Sequence, residues 1–269
     1  MREILTAEQM RAHERAAIEG GAVTGLELME RAGAGVVEAI FARWPDLATT
    51  GAVILCGPGN NGGDGYVIAR LLSARGWNVS CFAYGDPARL PPDAKANHDR
   101  WAATGAVLRW DDAAIEDRID TLQDGLVIDA LFGTGLTRAM PENTAKTWRA
   151  IYPRRFSNPS GPRPHFVAVD IPSGISSDSG RNLDGAFPAD LTVSFHRAKC
   201  GHYLDPDMGP DRPGGGATMS GEVVVADIGL PQTGVKDAAQ LIERPSNFLM
   251  KRTGHKYSHG HALVLAGGT

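Results

Sequence analysis

Apolar residues fall along this chain in short uninterrupted runs, separated by stretches of helical spacing. Ala52–Cys56, Trp77–Tyr84, Leu126–Leu131, Phe166–Ile171, Leu191–Phe195 and Val223–Ile228 are such runs, and Val107–Trp110 is a shorter one. Runs without polar alternation predict strands buried on both faces, as in a parallel sheet covered by helices. Asp64–Arg75 and residues 93–104 carry the helical spacing between them, giving strand–helix–strand units that are right-handed by rule. Two helices precede the first run. Residues 7–20 place Met10, His13, Ala17 and Ile18 on one face, with Thr6 as N-cap, Gln9 as its capping-box partner and Gly20-Gly21 as the stop. Leu26–Arg43 forms the second and Pro45 ends it; its small Ala32, Gly33 and Gly35 predict a close neighbour. The pattern predicts an α/β fold with a mostly parallel central sheet.

The pattern breaks twice. Residues 153–164 carry Pro153, Pro159, Pro162 and Pro164 and read as a surface loop. Beyond Pro231, residues 236–262 are polar, and then Ala262–Leu265 and Gly267-Gly268 resemble a strand and turn that open another unit. The expected division is residues 1–235 as one domain and 236–269 as a linker with the start of a second. His255, His259 and His261 lie in that linker. Without acidic or thiol partners beside them they read as a solvated or interdomain segment rather than a metal site.

Composition narrows the function classes. A net charge of −4 argues against a nucleic-acid partner. Cys56, Cys81 and Cys200 are widely spaced and form no zinc-type or redox pair. The first residues lack the apolar core of a signal peptide, and no apolar run approaches the ~20 residues of a membrane helix. The expectation is a cytoplasmic enzyme with no membrane partner.

Four segments carry candidate chemistry. Gly57-Pro-Gly-Asn-Asn-Gly-Gly-Asp-Gly65 stands between a strand and a helix, where backbone N–H groups can face an anion. Its match to G-x-G-x-x-G is weak alone, and Asp86, near the end of the next strand, is explained by its Gly-Asp-Pro turn. Asp64 would repel phosphate, so it binds a ligand hydroxyl or caps the helix. Asp129 sits inside an apolar strand before Gly133-Thr-Gly135 and Arg138, either as a site residue or as a buried acid satisfied by backbone amides. Asp170 and Ser173 follow the next apolar strand, and Lys199 and His196 follow the one after. In open α/β sheets ligands lie beyond the strand C-termini, so these segments converge on one edge. Asn61, Asp129 and Ser173 could be oxygen ligands of a monovalent cation, or simply hydrogen-bonded neighbours.

These motifs, in order, resemble a known family. Leu5-Thr6 with Gln9-Met10, Leu28-Met-Glu-Arg-Ala-Gly33, the glycine loop, Asp129-Ala-Leu-Phe-Gly-Thr-Gly135, Asp170-Ile-Pro-Ser-Gly174, Phe195…Lys199-x-Gly201 and Asp227-Ile-Gly-Leu-Pro231 are similar to the YjeF N-terminal domain family of NAD(P)HX epimerases. The resemblance covers about residues 4–231. It implies a Rossmann-like three-layer αβα sandwich and epimerisation at C6 of hydrated NADH and NADPH. It implies that Asn60, Asn61, Gly62, Gly63, Asp64, Gly133, Thr134, Gly135, Leu136, Thr137, Arg138, Ala139 and Asp170 contact the hydrated dinucleotide. It implies one potassium ion held by Asn61, Asp129 and Ser173, and a homo-oligomer. Asp170 is the expected principal acid/base and Lys199 the second catalytic candidate. Lys256–Gly268 is similar to the opening of the ribokinase-like NAD(P)HX dehydratase domain, so dehydratase activity is expected only of a longer, bifunctional chain. Two rival readings are a dehydrogenase, disfavoured by the amides and acid in the glycine loop and by the lack of a clear ribose acid, and a non-catalytic nucleotide-sensing or protein-binding scaffold, disfavoured by the presence of Asp64, Asp129 and Asp170.

Overall fold

A computed structural model describes residues 2–122, 124–153, 163–204, 219–232 and 234–241. The three histidines, Ala262–Leu265 and most of the proline-rich stretch lie outside these residues.

Seven strands form one parallel sheet: β2 (Gly51–Cys56), β3 (Asn78–Ala83), β4 (Val107–Arg109), β5 (Leu126–Ala130), β6 (His165–Val169), β7 (Leu191–Phe195) and β9 (Glu222–Ala226). Their order is β4-β3-β2-β5-β6-β7-β9, and the register runs without a break from Ile54 opposite Cys81 on one side to Ile128 on the other. Every residue of β5 and β7 is buried. Full burial of a Leu, Ile or Val contributes ~1.5–3 kcal/mol each, which selects the continuous apolar runs seen in the sequence.

Helices cover both faces. On one face α2 (Gly25–Arg43) and α3 (Asn60–Ala74) pack with α4 (Pro92–Ala102) beside them, burying Val36, Ile40, Ile68 and Leu72. On the other, α5 (Asp112–Asp120) and α6 (Glu142–Ile151) bury Ile115, Ile119 and Trp148 against Val53, Leu55 and Phe166. Trp148 stacks on Phe187 with ring centroids 4.1 Å apart. Helix α1 (Ala7–Glu19) starts with the expected capping box: Thr6 Oγ accepts from Gln9 N and the Gln9 side chain accepts from Thr6 N.

A smaller sheet, not expected from the sequence, joins β1 (Arg2–Leu5) to β8 (Ala198–Lys199) in parallel and to β10 (Ala239–Leu241) antiparallel. Helix α3 also departs from expectation. It begins at Asn60, four residues before Asp64, and its N-cap Gly59 offers no side chain. Asp64 is therefore not the helix cap.

Candidate active site

The chain reverses direction across the sheet between β2 and β5, with β3 and β4 on one side and β6, β7 and β9 on the other. The connections that follow β2 and β5 run to opposite sides of the sheet, and the edge beyond these strand ends is the place where such sheets bind ligands. Gly57, after β2, donates its N–H to Ala130 O at 2.9 Å. A Cβ on Gly57 would fall 1.7 Å from Leu131 O, so only glycine lets the two loops meet this closely.

A cavity of about 680 Å³ opens at this edge. Asn60, Asn61 and Asp64 line one wall, and Gly133 to Arg138 with Asp170 line another. Glu14 and Arg11 of α1 close it from outside the sheet. Gly62, Gly63, Ala139, Asp129, Ser173 and Lys199 do not line it. Gly62 packs on the Gly57 carbonyl and Gly63 on Met29 and α4, so both are small because neighbours crowd them.

Asp170 is the centre of a bonded network. Its Oδ1 accepts from Lys199 Nζ at 2.7 Å and from Ser194 Oγ at 3.3 Å, and its Oδ2 accepts from Thr134 N at 3.3 Å. Its backbone is left-handed at φ 66°, which a non-glycine residue adopts only where surroundings impose it. His202 does part of this. The Lys199 N–H donates to His202 Nδ1 at 2.9 Å, so the ring proton sits on Nε2 and reaches Asp170 O at 2.8 Å. Burial, with the Lys199 charge, holds the His202 pKa down at about 4, which keeps that tautomer neutral.

The acids around the cavity have opposed environments. Burial pushes the Asp170 carboxyl upward, but the Lys199 ammonium and its hydrogen bond, with His202 and Thr134 N, outweigh it and hold the pKa below the usual value. Asp170 is an anion. Burial raises Asp64 well above the usual carboxylate range, and the charges of Asp170 and Glu14 add to the effect. Glu14 is raised for the same reasons, burial first and Asp170 second, against the opposing Lys199 and Arg11. The Asp64 carboxyl is thereby biased toward its protonated form, beside a carboxylate that Lys199 biases toward the anion. Pairs of titratable groups pushed apart in this way are the usual basis of acid and base assignments.

Asp129 and Ser173 meet behind the cavity. Asp129 Oδ2 accepts from Ser173 N at 2.7 Å, and Oδ1 accepts from Ser173 Oγ at 2.6 Å and Leu131 N at 3.1 Å. Ser173 Oγ also accepts from Phe132 N at 2.9 Å. Asn61 reaches the same loop from α3: a Cβ on Gly133 would lie 3.1 Å from Asn61 Oδ1 and 3.2 Å from Asp170 Oδ2. The buried Asn61 Nδ2 has no partner among the described residues.

His196 takes no part here. It stacks on His13 at 4.8 Å and both its ring nitrogens lack partners among the described residues. Glu14, Ser194 and His202 were missed in the sequence. Glu14 sits with Arg11 and Ile18 on one face of α1, a signal masked by the helix's other polar positions. Ser194 alternates with Val193 and Phe195 in a buried strand and was read as a core position. His202 follows Lys199 by three residues, the spacing of its backbone bond.

The chain matches the family described as YjeF-related protein N-terminus over residues 25–201. It belongs to this family. Its YjeF-related domain is 48% identical over 209 residues to the NAD(P)H-hydrate epimerase of Rhodobacter capsulatus, covering 75% of this chain and 92% of the relative. It is 43% identical to the NAD(P)H-hydrate epimerase of Roseobacter litoralis, covering 86% of this chain and all of that one (100%). The bifunctional NAD(P)H-hydrate repair enzyme Nnr of Thermofilum pendens is 35% identical, and there the match takes in 98% of this chain but 48% of the relative. The crystal structure of yeast ynu0 superposes with a TM-score of 0.61 at 22% identity, over 75% of this chain and 84% of that one, and shares the fold. Among the described residues no helix is long and apolar enough to cross a membrane.

Proposed function

We propose that this YjeF-related domain is an NAD(P)H-hydrate epimerase, an isomerase in nicotinamide nucleotide repair that interconverts the R and S forms at C6 of hydrated NADH and NADPH. The observation that carries the reading is a fixed anion, Asp170, facing a protonated acid, Asp64, across a cavity bounded by a helix N-terminus. The relatives from Rhodobacter capsulatus and Roseobacter litoralis carry that name.

The chemistry needs both groups. The C6 hydroxyl lies beside the ring nitrogen, and inversion requires that it leave and return to the other face, or that the ring open and reclose at C6. Departure requires a proton on the oxygen, and what remains on the ring is cationic. Asp64 is suited to deliver that proton and the Asp170 carboxylate to stabilise the cation. Returning water gives its proton back to Asp64, so the cycle balances. Lys199 is 1% exposed and acts through Asp170: it keeps the carboxylate ionised and is a positioning residue. The N–H groups opening α3 and the Gly133–Arg138 loop suit the pyrophosphate.

Potassium is the second part of the proposal. The donor set of Asn61, Asp129 and Ser173 fits it: all oxygens, one formal charge and an unsatisfied buried amide whose two ends can exchange by a flip. A bound potassium ion would supply charge that ties the Phe132 loop to α3. A second, dehydratase-like unit is supported by repair-enzyme matches that extend over 98% of the chain, but the expected boundary near residue 235 moves to beyond Leu241, because β10 pairs with β1 and belongs to the first unit. A homo-oligomer completes the reading, supported by exposed Val225 on the edge strand β9, and sedimentation tests it.

The deciding experiment incubates the protein with one pure epimer of NADHX and follows the approach to the equilibrium mixture. No acceleration over the spontaneous rate would leave the scaffold reading.

A further inference from the structure

A second cavity, of about 810 Å³, lies along the same sheet edge at the ends of β3 and β4. Tyr84, Asp86, Arg109, Trp110 and Asn143 line it. None of these residues has a part in the chemistry above. The cavity shares a wall with the first one. Tyr84 meets Phe132 edge to face at 6.1 Å, and Phe132 lines the first cavity. Gly85 approaches Pro58 so closely that a Cβ there would lie 3.1 Å from the proline, and Pro58 also lines the first cavity.

The lining has a particular chemistry. Tyr84 and Trp110 stand edge to face at 5.4 Å, with the indole N–H donated to Asp112 at 2.9 Å and the tyrosine hydroxyl to Asn143 Oδ1 at 3.2 Å. Their polar atoms are satisfied, so what the two rings offer the cavity is apolar ring carbon. Asp86 uses one carboxylate oxygen to accept from Ala88 N at 2.9 Å, and no donor among the described residues occupies the other. Arg109, at the end of β4, is exposed and forms no ion pair among the described residues. Two aromatic faces, a half-free acid at the end of the strand after a glycine loop, and an unpaired guanidinium together match a base, a ribose hydroxyl and a phosphate.

We infer that this second cavity takes the adenosine half of the dinucleotide: adenine against Tyr84 and Trp110, ribose on Asp86, and the 2′-phosphate of the NADP form on Arg109. The inference rests on the dinucleotide reading of the first cavity. The hydrated nicotinamide and the adenosine then sit on opposite sides of the Phe132–Tyr84 contact, with the pyrophosphate between them. Asp86 gains a role beyond its turn.

Calorimetry with AMP and with 2′-phospho-AMP, neither of which carries a nicotinamide, tests the cavity directly. The wild-type protein binds both. Trp110→Ala weakens AMP binding by about tenfold or more, the usual effect of losing one stacked base, and Trp110→Phe restores most of it. Arg109→Glu weakens 2′-phospho-AMP but leaves AMP within about twofold. In turnover, Trp110→Ala raises KM for NADHX with kcat nearly unchanged, and Arg109→Glu raises KM for NADPHX alone. AMP affinity unchanged in Trp110→Ala, or equal loss of both nucleotides in Arg109→Glu, overturns the assignment. Failure of the wild-type protein to epimerise either substrate would count against the activity but not against nucleotide binding in this cavity, so the two failures are distinguishable.

Discussion

Lys199 Nζ lies 2.7 Å from Asp170 Oδ1, and Ser194 Oγ bonds to both, so among the described residues the one side-chain cation in contact with the Asp170 carboxylate approaches it from behind. The front of Asp170, bounded by Thr134 N and Gly133, faces the cavity. The ion pair is thus packed against the protein on one side and open to the cavity on the other.

Replacing Asp170 with Asn tests the anion. Asn is among the few residues that accept a left-handed backbone, so φ 66° need not change. The charge is lost and the shape kept. Epimerisation should slow by ~10²–10³-fold, the usual effect of removing one electrostatic stabiliser, with KM changed far less. Progress curves at saturating substrate measure it, and near-normal turnover would remove Asp170 from the chemistry. Lys199→Met should act indirectly: the Asp170 pKa rises, so the acid limb of the rate profile moves to higher pH.

Asp64 gives a complementary prediction. A donor works only when protonated, so activity should fall as pH rises through the elevated Asp64 pKa. Asp64→Asn cannot donate a carboxyl proton. It should lower kcat by on the order of 10² or more and abolish that alkaline limb. A variant that keeps the limb would shift the donor role to Glu14.

Potassium should register in stability before activity. A ligand that binds only the folded state raises Tm with its concentration. Thermal unfolding in KCl against a matched choline chloride series should show the rise for the wild-type protein. Asp129→Asn, lacking the one formal charge of the site, should lose most of it. Equal responses of the two proteins would dismiss the ion site.

His202 sets an acid limit on folding. Its pKa is about 4 in the folded protein against an ordinary 6.5. The unfolded chain therefore takes up a proton between these values and the native ring does not. The His202 contribution is complete above about pH 6.5 and is lost progressively as pH falls toward 4. Urea unfolding from pH 5 to 8 should show this slope, and His202→Gln should flatten it.

The sheet was legible because burial on both faces leaves unbroken apolar runs, and the site loops because their residues have no reason to follow such runs otherwise. Helix α3 was read as starting at Asp64 because Gly62, Gly63 and Gly65 are poor helix formers. They are tolerated because side chains there would strike Gly57 O, Met29 and Cys56. Helix α6 escaped notice because Thr144 and Thr147 are buried beside Ala145 and Trp148, blurring its apolar stripe. The small sheet was invisible because β8 has two residues and β10 three, too few to show any period. Glu14 meets the site across a long sequence separation, which no local pattern encodes, and His202 shows only in its three-residue spacing from Lys199.

Strand β1 pairs Ile4 with Ala198 and Leu5 with Lys199, and Ala7 N donates to Asp178 Oδ1 at 2.7 Å. The helix that carries Glu14 and Arg11 is thereby fastened at its root to the strand that carries Lys199. Residues 2–7 act as a gauge block, setting how far the outer wall stands from the ion pair. A change that shifts this strand would move the outer wall relative to the ion pair without altering any residue of the cavity.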